Sequence, residues 1–184
     1  MPIPLPKGTP LDFEVTRLLS QRPTLMTLLG GVTAAWSQAE GNLAIYYGWF
    51  LFGPAPSPDK IPVGAFIAMR TFEMIISVPQ RIDLLREAVR MRGFGNAILT
   101  KFNRRLEELQ DAVNDRNTAA HGRWALSEKH PDHLVHVKNL AKLQDARLFD
   151  QKDLETAISR INHCSVELHN LVLNEMLPIL KTLG

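Results

Sequence analysis

The chain has one cysteine, Cys164, in 184 residues. A single thiol excludes an internal disulfide framework and a four-cysteine zinc site. It fits a reducing, cytoplasmic compartment. Long hydrophobic runs are also missing. The nearest is the uncharged stretch from Gly41 to Pro58, whose apolar part is only Leu43 to Phe52. A bilayer span needs roughly 20 apolar residues. Glu40 bounds the stretch on one side and Pro54, Pro56 and Pro58 on the other, so the buried end of a helix is expected and no membrane partner. The opening Met1-Pro-Ile-Pro-Leu-Pro-Lys-Gly lacks a charged region followed by an apolar one, so a secretory signal is not expected. Charge of one sign is lacking too. Lys and Arg number 21 against 19 Asp and Glu, a net +2. That excludes a globally basic nucleic-acid binder and leaves any such role to a local patch. No phosphate-cradling glycine loop, H-E-x-x-H or G-x-S-x-G occurs, so no cofactor or metal is expected.

What is present is helical periodicity. The length suits one domain over 1–184, with residues 1–10 as an extended arm, since Pro2, Pro4 and Pro6 disfavour a helix there. A short helix is expected near Leu11 to Leu19. From Leu25 apolar residues recur at steps of three and four through Leu29, Val32, Trp36, Ala39, Leu43, Tyr46 or Tyr47, and Phe50, one face of a long helix. Gly53 and the prolines after it end that helix. Its glycines, Gly30, Gly31, Gly41 and Gly48, suggest close approach of a second helix. A second helical stretch covers Val63 to Met91, with Pro79 expected to kink or split it and Gly93 to end it. A third runs from Asn96 to His121, and a last from Gln151 to Leu180 with Asp150 as N-cap. Residues 123–140 differ. Trp124 to Leu126 and Leu134 to Val137 lean towards strand, so a β-hairpin or an irregular loop is expected there. The expected class is all-α: a bundle of about five helices with that short insertion.

Two clusters invite a chemical reading. Between Arg70 and Arg105 eight basic residues face three acidic ones, a local excess of +5. This is either a solvated face or a groove for a polyanion. His130, His133 and His136 are spaced by three. A strand needs a spacing of two to place ligands on one face, and Pro131 opposes a helix, so surface histidines are expected rather than a metal site.

The stretch from Asn114 to Trp124 is the most informative. The third helix buries Phe102, Leu106, Leu109 and Val113 in sequence order, and its stripe then reaches Asn117 and Ala120. With about 100° per residue, Arg116 and His121 lie about 140° apart and flank that stripe from opposite sides. Polar groups at core-facing positions need a reason. The plain reasons are Arg116 paired with Asp111 or Asp115, and His121 closing the helix beneath Trp124.

Arg116-Asn117, three further residues and His121 resemble the R-polar-x3-H motif of HEPN domains (higher eukaryotes and prokaryotes nucleotide-binding). A looser likeness lies in Trp36 and Glu40, similar to a Trp-x3-Glu pattern on the family's first helix. The resemblance covers the helices and leaves out residues 123–140. It implies a small helical bundle whose catalytic members are metal-independent ribonucleases, often toxins or defence effectors. It implies RNA or a nucleotide as ligand, a homodimer whose two motifs meet, and a possible antitoxin protein as partner. The site residues implied are Arg116, Asn117 and His121, with Glu40 placed to pair with Arg116 or orient His121. A non-catalytic interaction module or a nucleotide sensor on the same fold is the alternative.

Overall fold

The computed structural model describes residues 2–55 and 60–183. Pro56 and Pro58, expected to help stop the long helix, lie outside the described residues. Among the described residues the helices are α1 (Val15–Gln21), α2 (Pro23–Phe52), α3 (Val63–Glu73), α4 (Val78–Met91), α5 (Asn96–His121), α6 (Gln151–Leu171) and α7 (Leu177–Leu183). A π-helical turn, Val172–Met176, joins the last two. Four short strands, β1 (Ile3–Pro4), β2 (Arg123–Ala125), β3 (Leu134–Val137) and β4 (Arg147–Phe149), complete the chain. The fold is thus mainly helical with a small antiparallel sheet. It divides into two compact units, Met1–Trp36 with Asn114–Ile161 and Ser37–Val113 with Asn162–Gly184.

In the first unit the sheet order is β1-β4-β3-β2, antiparallel throughout. The expected hairpin is β2–β3, with Arg123 opposite Val137. The sheet is larger than expected because Arg147–Phe149 pairs with β3 and the proline-rich arm adds Ile3–Pro4 at the edge. An edge strand tolerates proline, whose missing N–H costs nothing on the open side. Leu5, Ala125, Val135, Val137, Ala146 and Leu148 form a small core on the sheet. α6 begins where expected. The Asp150 side chain accepts from the Asp153 N–H at 2.8 Å, and Asp153 accepts back from the Asp150 N–H at 3.4 Å. This reciprocal pair satisfies two helix-end donors.

In the second unit Phe50 sits edge-on to Phe94 and Phe102, at 6.0 and 5.8 Å between ring centres. Ile82, Leu85, Leu106 and Leu109 are fully buried in the same unit. α3 and α4 split as expected, but Pro79 lies in the first turn of α4, not at a kink. There its missing N–H has no helical partner to lose. Ser77 caps the new helix. Arg81 holds the turn between them. It donates to the carbonyls of Ile75 at 2.5 Å and Glu73 at 2.9 Å.

The glycine expectation holds at two of four positions. A Cβ on Gly31 would lie 2.9 Å from Ile158 of α6, and one on Gly48 would lie 2.9 Å from Met69 of α3. Gly30 and Gly41 face open space. Among the described residues no helix is long and apolar enough to cross a membrane.

Candidate functional site

The buried stripe of α5 ends one turn earlier than its spacing suggests. Phe102, Leu106, Leu109 and Ala112 are buried, whereas Asn117, Ala120 and His121 are exposed and Arg116 is half-buried. The expectation that these polar groups face the core is therefore corrected. The last turns of α5 turn Asn117 and His121 to solvent, where their polar groups keep their hydration.

On that face three side chains gather. Arg116 Nη1 donates to Asn117 Oδ1 at 3.0 Å and lies 3.0 Å from His121 Nε2. A guanidinium can only donate, so Nε2 of His121 is the acceptor and carries no proton in this contact. Arg116 Nε is buried without a partner. Of the plain expectations, only the helix-closing place of His121, the last residue of α5, is met. Asp115 faces Arg160 at 3.6 Å, and Arg116 turns to its own helix neighbours. Trp124 packs on His136 rather than on His121, with ring centres 5.0 Å apart.

Glu40 lies in the second unit. Its Oε1 accepts from Arg81 Nη1 at 2.9 Å, with both side chains mostly buried. The structure gives Glu40 a partner in Arg81, on the turn between α3 and α4, where Arg116 or His121 was expected. Trp36 is buried in the first unit.

The end of α5 is anchored to the sheet by rings. Phe149 meets Trp124 edge-on at 5.3 Å and His136 at 5.9 Å. The Trp124 indole N–H donates to the Ala119 carbonyl at 3.2 Å. Gly122 is expected as a helix stop, which commonly uses a left-handed glycine. Its φ is not positive, unlike those of Gly53 and Gly93, which end α2 and α4. Gly122 is bare because the His136 imidazole occupies the space of its missing Cβ. Burial, reinforced by Lys138, pushes the His136 pKa down.

The remaining candidates resolve differently. His130 and His133 are 6.2 Å apart between ring centres, while His136 belongs to the ring cluster. Among the described residues no group of three His, Cys, Asp or Glu is placed to hold a metal ion. The basic stretch is largely paired. Arg70, Arg81, Arg86, Arg90, Lys101, Arg104 and Arg105 each meet a carboxylate. Arg92 donates instead to the carbonyls of Phe50 and Leu51 at the end of α2.

Sequence reasoning missed two features. One is the buried Tyr46 hydroxyl on His169 Nδ1, at 2.7 Å. Burial pushes the Tyr46 pKa up and holds the phenol neutral. The other is His136, whose place in Leu134-Val-His-Val137 marked it as a strand residue but not as a neighbour of Gly122. No family model, no curated protein and no solved structure matches this chain.

Proposed function

We propose that this protein is a HEPN-like, metal-independent endoribonuclease whose site is built on Arg116, Asn117 and His121. The observation that supports it is the exposed contact at 3.0 Å between Arg116 Nη1 and an unprotonated His121 Nε2. RNA carries its own nucleophile, the 2′-hydroxyl. His121 Nε2 takes its proton, and the 2′-oxygen attacks the adjacent phosphorus. The bond from phosphorus to the 5′-oxygen breaks, and that oxygen is protonated as it leaves. The products are a 2′,3′-cyclic phosphate and a 5′-hydroxyl. Imidazole suits the base role because it exchanges protons near neutral pH. The guanidinium suits the developing charge on the phosphoryl oxygens. A phosphate would also draw Arg116 away from His121, freeing the lone pair that removes the proton. Asn117 positions the guanidinium through its Oδ1.

One chain offers one such histidine, while the leaving oxygen needs a separate acid. A homodimer that joins two motifs meets this need. An antitoxin partner and a role in toxin–antitoxin or defence systems accompany this reading. The test is incubation of single-stranded RNA with the protein in excess chelator. Wild type cleaves, and Arg116→Ala and His121→Ala do not. Equal cleavage by all three would overturn the assignment.

A second reading, a non-catalytic dimerisation or interaction module, draws on one observation. Val63, Phe66, Ile67 and Met74, on and just after α3, are exposed apolar residues. Intact RNA together with a dimer dissociated by Phe66→Glu would favour it.

A further inference from the structure

A cleft of about 410 Å³ opens in the first unit beside the motif helix. That volume lies within the range of small-molecule sites. Leu154 lines it with apolar surface, and Trp124 and Phe149 line it with rings. The indole is held in place by its N–H bond to Ala119, at 3.2 Å, so the ring surface is set before anything enters.

Opposite in character is Asp115, on α5. Its side chain is 28% exposed. Among the described residues its carboxylate accepts no hydrogen bond, and its ion-pair partner Arg160 stands off at 3.6 Å. Burial raises the Asp115 pKa while Arg160 lowers it, as expected for a carboxylate short of donors. Asp150 and Asp153 also border the cleft, but they cap α6 through each other's backbone. Asp115 is thus the lining carboxylate that caps no helix, and it is the acceptor we assign to a ligand.

Flat rings beside a carboxylate that takes no hydrogen bond from the described residues select for a planar, donor-bearing molecule. The nucleobases differ sharply in this respect. Guanine carries a ring N–H and an exocyclic amine side by side, a two-pronged match for a carboxylate. Adenine and cytosine each set a ring acceptor beside the amine, so a carboxylate oxygen would face a lone pair. Uracil flanks its single N–H with two carbonyls. A site built to pair polar groups rejects analogues that leave them unpaired.

We infer that this cleft is a guanine-binding subsite, in which the Asp115 carboxylate takes the paired N–H groups of the base alongside Trp124 and Phe149. Arg160, half exposed at the same cleft, suits the nucleotide phosphate. Asp115 precedes Arg116 on α5, so base recognition and the cleavage motif share one helix end. That last link rests on the nuclease reading of Arg116 and His121; the base site itself does not.

The test is calorimetric titration of the intact protein with GMP, AMP, CMP and UMP. GMP is expected to bind at least tenfold more tightly than the other three. Asp115→Asn should weaken GMP at least tenfold while the circular dichroism spectrum stays unchanged. Equal binding of all four, no GMP binding at millimolar concentration, or full GMP affinity in Asp115→Asn would overturn the inference. The two readings fail separately. GMP binding with RNA left intact keeps the base site and removes the nuclease. RNA cleavage without GMP binding does the reverse.

Discussion

A methyl group on Gly122 would overlap the imidazole of His136 and lie 2.8 Å from the Thr118 carbonyl oxygen. The residue after the candidate site is therefore fixed by a strand residue 14 positions later. Gly122→Ala is expected to cost about 1–3 kcal/mol, the usual range for overpacking. Denaturant unfolding measures this. In the double variant with His136→Ala, the added cost of Gly122→Ala should shrink, because the clash with the ring is gone.

His136 makes stability depend on pH. Its pKa is lowered from 6.5 by burial, so the folded state holds the neutral ring more firmly than the unfolded chain does. The stabilisation is complete above 6.5 and is lost as pH falls through the lower folded value. Melting temperature should drop from pH 7 towards pH 5. His136→Phe keeps a ring against Trp124 and Phe149 and should flatten this part of the curve.

Glu40 and Arg81 make a mostly buried pair within the second unit. Glu40→Gln should cost about 1.5–3 kcal/mol, the range for a hydrogen bond to a charged group. Loss of RNA cleavage by Glu40→Gln at a temperature where it remains folded would assign Glu40 a role in the reaction.

Much of the helical frame was legible in residue spacing. Leu25 to Phe50 marked α2, Gly53 and Gly93 marked stops, and Asp150 marked the start of α6. The short strand Arg147–Phe149 was not legible, because three residues hold too little alternation to read. Nor was the partner of Glu40, which lies 41 residues away and follows from packing rather than pattern. The motif was legible as residue types at a spacing. Its exposure was not, because the fold turns the end of α5 towards solvent after Ala112. A helical stripe states which residues share a face, and only the neighbours decide whether that face is covered.

The central claim concerns bond cleavage by Arg116 and His121 without metal. Its most direct measurement is the chemistry of RNA ends produced by the protein in chelator. The expected result is 2′,3′-cyclic phosphate and 5′-hydroxyl ends. His121→Ala should reduce the rate roughly 10²–10⁴-fold, as for loss of a general base, and Arg116→Ala roughly 10²–10³-fold. Products with 3′-hydroxyl ends, or undiminished cleavage by His121→Ala, would contradict it.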